Sequence, residues 1–110
     1  MNYLAALVLT VAVEAPLYGL SLPRLGDVER RAAAGAGAVV NLVSHPLAWF
    51  VAWPLFRTVV RPGPAFVAVE VLVVTGEWMG LRRWRRFDPP LLAALVVAVN
   101  AASIAAGAAL

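Results

Sequence analysis

The chain has 110 residues, of which 63% are hydrophobic and 14% are charged, and its formal net charge is +3. A soluble domain has about half apolar and about a quarter charged residues, so this composition excludes an ordinary water-soluble domain and predicts one lipid-embedded domain over residues 1–110. All nine basic residues are arginines in or beside short segments between apolar runs. This pattern is typical of membrane topology signals and not of nucleic-acid binding.

Four apolar runs follow one another along the chain, at about residues 2–22, 32–56, 64–81 and 89–110. Each is close to the ~20 residues that a helix needs to cross ~30 Å of hydrocarbon. The first run has no basic segment before it, so we interpret it as a membrane helix and not as a removable signal. The short connections make successive helices antiparallel. The predicted fold is an all-α, antiparallel four-helix transmembrane bundle, with no evident internal repeat.

Two prolines predict local features of these helices. Pro46 lies inside the second run, lacks an N–H and frees the carbonyl of Leu42. Because a residue before proline resists helical geometry, we expect a break at His45. Asp88 followed by Pro89 predicts the N-cap and first position of the last helix.

The distribution of arginines predicts the orientation in the membrane. The first and third loops contain seven arginines, whereas the second loop, on the same side as both termini, contains Arg57 and Arg61. The positive-inside rule therefore places loops one and three in the cytoplasm and both termini outside a cell inner (plasma) membrane.

Four ionisable residues fall inside the predicted helices: Glu14, His45, Glu70 and Glu77. Such residues are costly in lipid and mark functional sites by default. Five further polar residues accompany them: Asn41, Ser44, Asn100, Ser103 and Tyr18. Measured from the predicted cytoplasmic helix ends, most of these groups lie roughly 6 to 20 Å deep. Since lipid does not accept polar faces, we expect all four helices to turn them toward the bundle axis.

A bound divalent transition metal is the first hypothesis for this cluster. Glutamate oxygens and one imidazole nitrogen suit Zn²⁺, Mn²⁺ or Fe²⁺. The expected ligands are Glu14, His45, Glu70 and Glu77, with the five other polar residues around them. No established metal motif is present. The metal would serve transport or a membrane-embedded reaction, and the pattern assigns no catalytic residue.

Two other hypotheses fit the same residues. The first is a proton-coupled small transporter that works as a homodimer, since membrane carboxyl groups and histidine form proton relays. In its size, its four helices and the carboxyl group of its first helix, the chain resembles the small multidrug resistance transporters in outline only. The second is a structural or partner subunit of a larger membrane complex, in which the polar cluster only fixes helix packing.

The chain also resembles small four-helix prokaryotic membrane proteins of unassigned function. The matching segments are Glu14-Ala15-Pro16, Asn41-Leu42-Val43-Ser44-His45-Pro46, the pair Glu70 and Glu77, and Asn100-Ala101-Ala102-Ser103. The resemblance implies that these residues form one site, and it implies no particular activity.

A cluster of arginines follows the third helix: Arg82, Arg83, Arg85 and Arg86. Such juxtamembrane arginines attract anionic lipid headgroups. The simpler interpretation is a topology signal. The expected partners are the bilayer and a second copy or a larger membrane complex, without nucleic acid.

Overall fold

The computed structural model describes residues 2–109 and confirms the all-α four-helix bundle. The four long helices are α1 (Tyr3–Leu25), α2 (Arg30–Arg57), α3 (Pro62–Trp84) and α4 (Pro89–Ala109). All four are long and apolar enough to cross a membrane. The connections are residues 26–29, 58–61 and 85–88.

The first three helices are longer at one or both ends than the apolar runs that predicted them. Arginine is a good helix former, and its charged end can reach the interface from a helical backbone. Helices therefore continue past the hydrocarbon boundary that hydropathy marks. The last helix begins at Pro89 as predicted, whereas its predicted end, Leu110, lies outside the described residues.

The expected break in α2 at His45 does not occur. The α-helix continues to Leu47, passes into a π-helical turn at Ala48–Ala52, and resumes as an α-helix at Trp53–Arg57. The N–H of Trp53 donates to the carbonyl of Ala48, five residues earlier. The wider turn lies between Pro46 and Pro54, so the helix accommodates two prolines without interruption.

The helices pack in a ring around one axis. α1 contacts α2 and α4, and α3 contacts the same two helices, so α1 and α3 face each other diagonally. The α1–α2 contact is close, because a methyl group added at Gly19 would lie 3.1 Å from the Cβ of Ala34. Tyr3, Ala109 and the loop 58–61 lie at one end of the bundle, and the other two loops lie at the opposite end.

The two helical hairpins repeat the same layout, which the sequence alone did not reveal. The starts of α3 and α4 and the end of α3 each lie 59 residues after their counterparts in the first hairpin. Buried positions follow the same shift, including Ala33 and Leu92, and Asn41 and Asn100. An Asn-x-x-Ser segment recurs at the equivalent level of α2 and α4. The two hairpins therefore share the register of their helix starts and buried positions, although α1 and α2 pack against each other more extensively than α3 and α4 do.

An apolar layer closes the bundle at the end that carries loops 26–29 and 85–88. Leu22, Leu81 and Leu92 are fully buried there. Phe87 packs on Gly26, where an added methyl group would lie 2.8 Å from the phenyl ring. The indole of Trp78 donates to the carbonyl of Pro89 at 3.1 Å and so ties α3 to the start of α4.

Candidate functional site

Two glutamates are held in the same way by the two hairpins. Nδ2 of Asn41 donates to Oε1 of Glu14 at 3.1 Å and to the carbonyl of Gly37 at 2.9 Å. Nδ2 of Asn100 donates to Oε2 of Glu77 and, at 2.9 Å, to the carbonyl of Val96. In each hairpin an asparagine is therefore anchored to its own helix and fixes a carboxyl group of the preceding one.

The two carboxyl groups meet on the bundle axis. Glu14 and Glu77 come from the diagonal helices α1 and α3, lie next to each other, and are each 1% exposed. The hydroxyl of Tyr18 donates to Oε2 of Glu77 at 3.3 Å, and Ser103 lies beside Glu14. Oε1 of Glu77 has no hydrogen-bond partner among the described residues. The pair thus retains accepting capacity.

The chemistry of such a pair is restricted. Two carboxylates in contact and away from water repel each other and lose their hydration, at a cost of several kcal/mol per ion. Either a proton on one of them or a cation between them removes most of that cost. No arginine lies within the central part of any helix to supply the charge. The arrangement is therefore suited to holding a proton or a small cation.

Tyr18 is placed by a glycine on the neighbouring helix. A methyl group at Gly37 would lie 2.6 Å from Cδ2 of Tyr18, so only glycine leaves room for the phenol ring. The ring is fully buried between the carboxyl pair and the apolar layer of Leu22 and Leu81. Gly37 belongs to the small-residue segment Gly35–Gly37, which is typical of helix contact faces in membranes, and it lies one turn before Asn41 on the same helix face.

A cavity of about 580 Å³ leads to the carboxyl pair from the end of the bundle that carries the termini. All four helices line it. Glu14, Asn41, Asn100 and Ser103 form its inner end, and Trp49, Trp53 and Phe66 lie nearer its outer end. Glu77 and Tyr18 do not line it and lie behind Glu14. The two glutamates are therefore reached in order, Glu14 first.

His45 is separated from the hydrogen-bonded cluster. Its ring lies in an aromatic group at the terminal end of the bundle, with its centroid 5.4 Å from that of Tyr3 and 6.0 Å from that of Trp49. Within residues 2–109, neither Nε2 of His45 nor Oγ of Ser44 has a hydrogen-bond partner. Both residues line the cavity.

Glu70 also lines the cavity and is half-buried, with no side-chain hydrogen bond among the described residues. The predicted set of four metal ligands is not assembled: over residues 2–109, no three His, Cys, Asp or Glu side chains are placed to hold a metal ion. The structure instead joins Glu14 and Glu77 with two asparagines, a tyrosine and a serine.

The fold and its polar centre define a multi-pass membrane protein with a buried carboxyl pair. Comparison of the chain with protein-family models, curated proteins and solved structures gave no match. The resemblance to small prokaryotic four-helix membrane proteins stays a prediction.

Proposed function

We propose that this small protein is a carrier of cations and that protons are the simplest coupling ion. Its coupling site is the pair Glu14 and Glu77. The observation that supports it is the contact of these two buried carboxyl groups, of which Glu14 lies at the inner end of a cavity. A structural cluster would gain the same hydrogen bonds from glutamines without any ionisation cost. The use of two carboxyl groups favours a site that takes up and releases positive charge.

The geometry favours a proton or a small monovalent cation over a transition metal. Transition metals in proteins take three or four nitrogen, sulfur or oxygen ligands with defined geometry. The imidazole of His45 stacks near Tyr3 and not on the carboxyl pair. A proton needs only two facing oxygens, which Glu14 and Glu77 supply.

In this conformation the carboxyl pair is accessible from one side of the protein. The cavity leads from the terminal end to Glu14, whereas Tyr18 and the buried leucines close the other end. With the arginine-rich loops in the cytoplasm, the cavity faces the outside of the inner membrane. Release to the cytoplasm then requires Tyr18 to leave Glu77, since its ring covers the inner carboxyl group.

Flux measurements in liposomes test this function. Purified protein is reconstituted with a pH-sensitive dye inside, and a potassium gradient with valinomycin supplies the driving force. We expect proton flux in the wild type and only the protein-free background in Glu14→Gln and Glu77→Gln. The control is Glu29→Gln, the same chemical change in loop 26–29. Wild-type liposomes that match protein-free ones under proton, sodium and potassium gradients would contradict the proposal.

A structural role is the second candidate, and one observation favours it. The hydrogen bonds of Asn41, Asn100 and Tyr18 link all four helices at one level. If the cluster only fixes packing, the double variant Glu14→Gln/Glu77→Gln should keep or raise the thermal midpoint in detergent, because glutamine preserves the shape and removes the ionisation cost. A large loss of stability would indicate that the carboxyl pair binds a cation.

A further inference from the structure

A groove of about 900 Å³ runs along the outside of the bundle between α2 and α3. Its lining is apolar apart from Ser44, Arg85 and the indole of Trp84. On α3 it extends from Val69 to Trp84, about 22 Å along the helix axis. It therefore covers most of the ~30 Å of hydrocarbon in a bilayer and ends at the arginine-rich interface.

Small residues create this groove. Gly76 and Gly80 line it on α3, and Ala32 and Ala36 line it on α2. A methyl group added at Gly76 would meet no atom within 4 Å, so the space beside it is not filled by protein. In a bilayer, an apolar space of this kind that opens sideways is accessible to a lipid acyl chain.

The loop end of the groove is strongly basic. The guanidinium of Arg85 lies 4.6 Å from the ring centroid of Trp84, and it is the one member of the Arg82–Arg86 cluster that lines the groove. Arg30 and Arg31 begin α2 directly before Ala32. At this end of the bundle, seven arginines stand against three acidic residues. An anion is therefore favoured there, at the depth of lipid headgroups.

We propose that the α2–α3 groove binds one anionic phospholipid, with an acyl chain along Gly76 and Gly80 and the phosphate on Arg85. A second copy of the chain is the competing occupant. Two copies with the same membrane orientation that met across this groove would bring their basic ends together, which like-charge repulsion disfavours. A phosphate neutralises the same arginines and accepts their N–H groups. The proposal does not depend on the carboxyl pair.

Native mass spectrometry of the detergent-solubilised, delipidated chain tests this site. The protein is titrated with phosphatidylglycerol and, separately, with phosphatidylcholine of the same acyl chains. We expect one phosphatidylglycerol per chain, bound about tenfold more tightly than phosphatidylcholine. Gly76→Leu should fill the groove and weaken both lipids, whereas Gly35→Leu is the matched control, since Gly35 also has no atom within 4 Å and lies outside the groove.

Arginine variants test the headgroup position. Arg85→Gln should weaken the binding of phosphatidylglycerol about fivefold and leave the binding of phosphatidylcholine unchanged. Arg57→Gln, at the opposite end of the bundle, should change the affinity for neither lipid. The helical signal in the circular dichroism spectrum of each variant verifies that it is folded. Equal affinity for the two lipids, or unchanged binding in Gly76→Leu, would overturn the proposal. A dimeric wild type that Gly76→Leu converts to monomers would assign the groove to a second copy.

Discussion

Asn41 and Asn100 occupy equivalent positions in the two hairpins, and each amide bridges a glutamate of the preceding helix and a carbonyl four residues earlier in its own. The two asparagines share no partner. Their glutamate partners Glu14 and Glu77 are neighbours, and Tyr18 on the helix of Glu14 also donates to Glu77. The two asparagines therefore follow the repeat of the hairpins, whereas the glutamates that they hold do not occupy equivalent positions.

Removal of these amides should show coupling between the hairpins. Asn41→Leu and Asn100→Leu each leave a buried carboxyl oxygen short of a donor, which should cost about 1–3 kcal/mol of unfolding free energy. Because the carboxyl groups are neighbours, the loss of unfolding free energy in the double variant should differ from the sum of the two single losses by more than about 0.5 kcal/mol. Reversible unfolding by denaturant in detergent measures the unfolding free energies of the two single variants and the double variant.

Thr75→Val is the control for this cycle, since the exposed hydroxyl of Thr75 donates only to the carbonyl of Val71 in its own helix. Its stability should change little. Strict additivity of the two asparagine variants would indicate that the carboxyl groups do not interact.

Substitution of Gly37 should displace Tyr18. In Gly37→Ala the new methyl group would lie 2.6 Å from the phenol ring, so the ring must move and the helices must separate, at about 1–3 kcal/mol. The displaced ring should also uncover Glu77, which carbodiimide labelling followed by peptide mass spectrometry detects. Gly35→Ala meets no atom within 4 Å and should instead stabilise its helix. Equal labelling of Glu77 in both variants would refute the covering role of Tyr18.

Access to the cavity can be measured with introduced cysteines, because the chain contains none. Ser44→Cys is nearly isosteric, lines the cavity and should react with a charged thiosulfonate added from the terminal side. Ser21→Cys lies on α1 outside the cavity lining and should react slowly from that side. Labelling of intact cells would also determine which face carries the termini. Equal reactivity of the two cysteines would argue against one-sided access.

Metal analysis should give a low value. Since no three metal-ligating side chains come together over residues 2–109, inductively coupled plasma mass spectrometry of the purified protein should find transition metals far below one per chain. Chelation at neutral pH should leave the thermal midpoint unchanged. Near-stoichiometric metal that is lost in His45→Ala would restore the metal hypothesis and require His45 to approach the carboxyl pair.

The sequence was sufficient to predict the four helices, because the length of an apolar run and the cost of an unpaired backbone in lipid leave few alternatives. The same argument predicted that Glu14, Asn41, Glu77 and Asn100 would turn inward. It could not separate His45 from them. Helical periodicity places His45 on the face of Asn41, but it does not give the partner at that level, which is the ring of Tyr3.

The repeat was also hidden, since the hairpins share helix starts and buried positions while few equivalent residues are identical. At the level where the first hairpin has Tyr18, the second has Glu77, and these two side chains bond to each other. The carboxyl group of Glu77 is thus shifted along its helix by one turn, about 6 Å, from the position that is equivalent to Glu14 in the repeat. A comparison of the two hairpin sequences shows only a mismatch at this position.

The placement of the termini has a consequence for chain connectivity. Tyr3 and Ala109 begin and end the adjacent helices α1 and α4, at the same end of the bundle as the loop 58–61. A short linker between the termini, with new ends within that loop, would therefore give a circular permutant that retains both hairpins and every contact between them. In such a protein Glu77 would be synthesised before Glu14, and the same carboxyl pair should still form.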